Sequence, residues 1–288
     1  MFRNFEQQTV DAAGVEINLV RGGSGPPVLL LHGYPQTHVM WHEVAPILAQ
    51  HFTVVAPDLR GYGDSAKPEA GADHFGYSKR ASAADQAALM TALGFEKFAL
   101  VGHDRGARVA HRLALDLPER VQRLAVIDIV PTYTAFADTD KEKAMGYYHW
   151  FFLSQPFDLP ERLIGGDPVY FLQWCLKSWG GSLDYFSPEA LAEYERCFAD
   201  PAVIHGSCED YRAGATIDLE HDAADLTRKI ACPVLALWGN RLDNWYDVAG
   251  VWRSRAESVT SGVLDGGHFL PEEMPEEVAR ALFYFLRI

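Results

Sequence analysis

The sequence predicts an α/β fold: a mostly parallel central sheet with helices on both faces, interrupted by an all-helical insertion. Three observations predict it. Short unbroken apolar runs alternate with amphipathic helical stretches, the pattern of strands buried on both faces. Around Asp104 an apolar run enters a Gly-x-Asp-x-Gly turn and passes directly into a helical pattern. Residues 132–226 hold aromatics, prolines and helical fragments but no strand-like run. The expected division is a core of residues 1–131 and 227–288, with a helical cap of residues 132–226 placed over the strand ends where such sheets bind ligands.

Taken in order, Gln7–Asp11 and Val15–Arg21 read as antiparallel strands joined by Ala-Ala-Gly. Pro27–Leu31 is a fully apolar strand ending in His32-Gly33-Tyr34-Pro35. Helical spacing runs from Trp41 to Gln50, and Phe52–Ala56 is another buried strand. Ser78 to Leu93 is an amphipathic helix ended by Gly94. The strand Phe98–Val101 leads to the turn at Asp104, followed by helical spacing over Val109–Leu117. Leu124–Val130 reads as the next strand, before the insertion. Alternation resumes with strands at Pro233–Trp238 and Ser258–Leu264, and a closing helix spans Pro275–Leu286.

The 288 residues suffice for one domain with a large insertion, and 48% hydrophobic with 22% charged residues is ordinary for a globular chain. A formal charge of −14 and no basic stripe argue against nucleic acid as a partner. No stretch is apolar for long enough to span a membrane, and the first residues lack a signal-peptide core, so a cytoplasmic protein is expected. Cys175, Cys197, Cys208 and Cys232 show no CxxC spacing and read as reduced thiols. His38 and His42, four residues apart, have no acidic or thiol companion, so no metal site is expected.

Asp104 decides the chemistry. A serine in that turn attacks acyl carbon, whereas a carboxylate doing so would form a labile anhydride. A carboxylate is suited to displacing a leaving group from sp3 carbon, forming an ester that water then cleaves. Alkyl halides and epoxides are the substrates this suggests. His268, on the Gly-rich loop after the last strand, is the expected base. Its orienting acid is Asp128, set within Val-Ile-Asp-Ile-Val, with Asp243 as the competing choice. Arg105 and Arg108 stand at a helix start, where the macrodipole disfavours cations. Two guanidinium groups beside the nucleophile suit a clamp on a substrate carboxylate. The backbone N–H groups of Tyr34 and Arg105 are the expected oxyanion hole.

Gly-His-Asp104-Arg105-Gly-Ala-Arg108, Tyr-His149-Trp150-Phe-Phe and the His268 loop together resemble the haloacetate (fluoroacetate) dehalogenases of the α/β-hydrolase superfamily. The resemblance covers essentially the whole chain. It implies Asp104 as nucleophile, His268 as base, Asp128 as orienting acid, and Arg105 and Arg108 on the carboxylate. It further implies His149, Trp150 and Tyr211 around the halide, no cofactor or metal, a haloacid substrate and a homodimer. An epoxide hydrolase shares the nucleophile and base, and Tyr147, Tyr148 and Tyr211 are candidate ring-opening acids for it. Against that reading, a neutral epoxide has no use for two desolvated arginines. A catalytically silent receptor on the same fold is the alternative outside enzymes, and the intact nucleophile, acid and base speak against it.

Overall fold

A computed structural model describes residues 1–287 of the chain. Its strands are β1 (Phe5–Asp11), β2 (Glu16–Gly22), β3 (Pro27–Leu31), β4 (Thr53–Pro57), β5 (Phe98–His103), β6 (Val121–Ile127), β7 (Val234–Gly239) and β8 (Val259–Leu264). They form one sheet in the order β1-β2-β4-β3-β5-β6-β7-β8. The β1–β2 and β2–β4 pairings are antiparallel and the rest are parallel. Every residue of β4, β5 and β7 is buried, which requires cover on both faces and explains the unbroken apolar runs.

The first helices are α1 (Val44–Leu48), α2 (Lys79–Ala92) and α3 (Asp104–Asp116). Eight more follow β6: α4 (Thr132–Ala137), α5 (Lys141–Gly146), α6 (Tyr148–Leu153), α7 (Leu159–Gly165), α8 (Pro168–Gly180), α9 (Pro188–Phe198), α10 (Pro201–Ala215) and α11 (Ile217–Ala224). Then come α12 (Val248–Arg255), α13 (Leu270–Glu273) and α14 (Pro275–Leu286). The stretch between β6 and β7 is therefore helical throughout its regular elements.

Two local expectations are corrected. The helix expected over Trp41–Gln50 is broken into a 3-10 turn, His38–Trp41, and the short α1. Pro46 has no N–H to bond back to His42, which a helix tolerates only in its first turn, so α1 starts just before it and does not continue from Trp41. The strand expected to reach Val130 stops at Ile127, because Asp128 turns into the left-handed region at φ 55°. The helical spacing read over Val109–Leu117 belongs to a helix that begins at Asp104, with Arg105 and Arg108 in its first turns as expected.

Parallel register brings the C-terminal ends of the strands to one edge. His103 lies beside Ile127, and Gly239 beside Leu264. The residues that follow, Asp104, Asp128 and the His268 loop, therefore emerge together. No helix among the described residues is long and apolar enough to cross a membrane.

Candidate active site

The turn at Asp104 works because its neighbours lack side chains. A Cβ on Gly102 would lie 2.6 Å from the Ala107 backbone, and one on Gly106 would lie 2.3 Å from the His32 carbonyl oxygen. A Cβ on Gly33 would fall 2.5 Å from Cβ of Asp104, so the loop after β3 also approaches on a glycine. Asp104 itself takes φ 46°, a conformation that L-residues other than Asn and Asp rarely adopt.

The two Asp104 oxygens have different surroundings. Oδ1 accepts the Tyr34 N–H at 2.9 Å. Oδ2 has no such donor and lies 3.9 Å from Nε2 of His268. Burial alone would raise this carboxyl, but the nearby charges of His268, His103, Arg105 and Arg108 outweigh it and bring the pKa down to about 2. Asp104 is thus an anion throughout the neutral range. The Arg105 N–H falls in the first turn of α3, where helical N–H groups have no intrahelical partner.

His268 Nδ1 lies 2.5 Å from Oδ2 of Asp128, whose Oδ1 accepts the Gly239 N–H at 2.9 Å. Asp243, the competing acid, instead accepts the indole N–H of Trp238 at 2.6 Å. Burial works against charge on His268, but the Asp128 hydrogen bond and the Asp128 and Asp104 charges raise its pKa above the ordinary imidazole value. The His268 loop is pinned from three sides. Glu273 accepts the N–H of Gly267 and of Phe269, the carbonyl of Trp179 accepts the His268 N–H, and the His103 ring bonds the His268 carbonyl.

The two arginines, both buried, have opposite circumstances. Arg105 donates from Nε to Oδ2 of Asp210 at 2.6 Å and from Nη2 to the Asp210 carbonyl at 2.7 Å. Asp210 also bonds Lys79 and the Tyr62 hydroxyl. Burial would raise Asp210, but Arg105 and Lys79 hold it well below the usual carboxylate range. Arg108 donates only to the Val130 carbonyl and the Thr132 hydroxyl, at 2.9 and 3.2 Å. Its Nε is buried without a partner, and no carboxylate lies within 4.0 Å among the described residues. Burial and the Arg105 cation push its pKa below the ordinary guanidinium value. Its guanidinium sits 4.5 Å from the Trp150 ring centroid.

A cavity of about 710 Å³ joins these groups; Asp104, Arg108, Asp128, His149, Trp150 and His268 line it, with Tyr147, Trp179, Arg241 and Trp245 among the rest. His149 packs on Trp179 at 4.2 Å between ring centroids, and Tyr211 stands 5.7 Å from His149 and 5.2 Å from Tyr34. Burial depresses His149 to about 3, so its ring is neutral and one nitrogen keeps a proton to donate; its buried Nδ1 has no protein partner. Of the residues expected at the site, Asp104, Arg108, Asp128, His149, Trp150 and His268 line the cavity. Arg105, Tyr211 and Tyr34 are not among its lining, the Arg105 guanidinium lying 4.2 Å from the Tyr211 ring centroid, and Asp243 is bonded to Trp238. Sequence reasoning missed Asp210, Thr132, Glu273 and His103. Of these, Asp210 had a signal, since it stands directly before Tyr211 in a buried helix.

The sheet order, the elbow and the His268–Asp128 pair define a class. The model of the alpha/beta hydrolase fold family matches residues 26–275, and the chain belongs to that family. Among individual proteins it is 51% identical to a fluoroacetate dehalogenase of Burkholderia sp, over 99% of this chain and 95% of that one. It is 38% identical to a soluble epoxide hydrolase of Corynebacterium sp., covering 92% and 91% of the two chains. A candidate alpha/beta hydrolase of Nostoc sp superposes with a TM-score of 0.98 at 60% identity, covering 99% of each chain.

Proposed function

We propose that the chain is a haloacetate dehalogenase, converting fluoroacetate or chloroacetate and water into glycolate and halide. The observation that carries the reading is Arg108, a buried guanidinium with no carboxylate partner, lining the same cavity as the Asp104 anion. A buried lone cation is costly unless a ligand supplies the anion. A two-carbon carboxylate held there has its alpha carbon within reach of Asp104.

In the first step Oδ2 of Asp104 displaces halide in line from the alpha carbon, forming an ester. The neutral donors His149, Trp150 and Tyr211 face the departing halide, and Arg105, through the Nη1 that Asp210 leaves free, joins Arg108 on the carboxylate. In the second step water in the gap between His268 Nε2 and the ester gives its proton to His268 and attacks the Asp104 carbonyl carbon. The developing charge falls on Oδ1, which the Tyr34 N–H already holds, with the Arg105 N–H as the second donor. Collapse releases glycolate and the proton. Asp128 keeps the His268 ring in the tautomer that exposes Nε2 as a base.

The reading includes a cap of residues 132–226 on a core of residues 1–131 and 227–288, since cavity-lining side chains come from both. It extends to a cytoplasmic homodimer, supported by the family resemblance and the four free cysteines. One single-turnover experiment in 18O-water tests the chemistry. Label is expected in Asp104 while the glycolate stays unlabelled, and His268→Asn is expected to trap the ester. Label passing directly into glycolate would sink the covalent route. Diol formation from styrene oxide without halide release from haloacetates would favour an epoxide hydrolase instead.

A further inference from the structure

Glu272 lies outside the chemistry just described, yet it is a fully enclosed carboxyl, 6% exposed, with two side-chain partners from distant parts of the chain. Gln36 donates to its Oε2 through a short contact, and the Tyr194 hydroxyl donates to its Oε1 at 2.9 Å. Gln36 closes the turn that presents the Tyr34 N–H, its own N–H bonding the Gly33 carbonyl at 3.0 Å. Glu272 itself follows four residues after His268, and its N–H bonds the Phe269 carbonyl at 2.9 Å. Tyr194 belongs to α9, between β6 and β7.

One carboxyl therefore ties the turn carrying an oxyanion donor to the segment carrying the base. We infer that Glu272 is a positioning residue for ester hydrolysis, setting the Tyr34 N–H and the His268 ring at a fixed separation across the Gln36–Glu272 bond. The inference rests on the proposed two-step reaction. It predicts a larger effect on the second step than on the first, in which the Tyr34 N–H only orients Asp104. Halide displacement uses Oδ2, Arg108 and the halide donors, none of which Glu272 touches. Water attack on the ester needs both groups that Glu272 joins. Burial holds the Glu272 carboxyl well above the usual carboxylate range, and Glu273 beside it adds to that, so a neutral amide is a fair replacement.

The test compares Glu272→Ala, Glu272→Gln and the wild type on chloroacetate, following halide release by rapid quench and the Asp104 peptide by mass spectrometry. Losing an oxyanion donor outright costs about 10²–10³ in rate, and a displaced donor is expected to cost part of that, about 10-fold in the second step. Glu272→Ala should then give a burst of one halide per site, a slow steady state and ester accumulated on Asp104. Glu272→Gln should restore the second step to within about threefold, since its amide keeps acceptor and shape. If Glu272→Ala fails to fold, Gln36→Met carries the same expectation from the other side of the bond. Equal slowing of both steps with no ester, or a Glu272→Gln variant as slow as alanine, would overturn the inference. Wild-type protein that releases no halide would instead remove the dehalogenase reading beneath it.

Discussion

Replacing Arg108 by leucine should weaken catalysis and strengthen the fold at once. In the free protein its positive charge is desolvated; it donates hydrogen bonds only to two neutral oxygens, of Val130 and Thr132, and the Asp104 anion compensates it only from beyond ion-pair distance. Swapping buried ionic groups for apolar ones of similar volume is often neutral or stabilising by about 1–4 kcal/mol. Relief of the repulsion from Arg105 adds to this. At about 2–4 °C per kcal/mol for a chain of this size class, Tm should rise by a few degrees. On the proposed reading the same guanidinium makes charge-assisted hydrogen bonds to a bound haloacetate, and truncating such a buried partner costs about 2–5 kcal/mol. Taking about 3 kcal/mol, kcat/KM for chloroacetate should fall about 150-fold. Halide-release kinetics and a thermal melt measure the two effects, with chloroacetamide as a substrate lacking the carboxylate charge. A variant that keeps kcat/KM on chloroacetate within threefold, or loses chloroacetate and chloroacetamide turnover equally, would refute the carboxylate role.

Asp210→Asn should act in the opposite sense on stability: it strips the buried charge partner from Arg105 and Lys79, and Tm should fall with a loss of about 3–5 kcal/mol. For pH, His268 must be neutral to accept the water proton, and its folded pKa is raised, so the wild-type rate should climb through an acid limb above pH 6.5. The linked stability from the raised pKa is complete below pH 6.5 and is lost as pH rises through that folded value. Asp128→Asn removes the leading cause of the raise, so the acid limb should move to lower pH while kcat drops by up to about 10⁴; an unmoved limb counts against the pairing. Gly33→Ala should lower kcat by about 10² through displacement of Asp104, with little change in substrate binding, as steady-state kinetics would read.

The sheet was legible because strands covered on both faces must be apolar at every position, as Pro27–Leu31 and Phe98–Val101 are. The sharp turn at Asp104 was legible for a similar reason: only glycine fits where a Cβ would strike backbone, at 102 and 106. What sequence left open depended on partners far along the chain. Nothing local distinguishes Arg105 from Arg108, because the residue that neutralises Arg105 lies 105 positions away. Asp128 and Asp243 both follow strands. Asp243 is taken by Trp238, five residues upstream, and only the fold reveals that. The early end of β6 follows from the same geometry: a residue continuing the strand would not turn its carboxylate toward His268. The aromatic groups His149, Trp150 and Tyr211 stood out by resemblance alone, since a helical insertion full of aromatic residues offers many equivalent ones.

Asp104 and Asp128 share one unusual property: each is a non-glycine residue held at positive φ. Each such backbone stores on the order of 1 kcal/mol that a glycine would release. Glycine there would also delete the Tyr34–Asp104 bond, or the bonds of Asp128 to His268 and to the Gly239 N–H, so the release is offset by what is lost. The backbone cost persists because those partners hold each carboxylate in place. Selection for heat resistance therefore has to draw its gains from elsewhere in the chain, leaving the tension at 104 and 128 untouched.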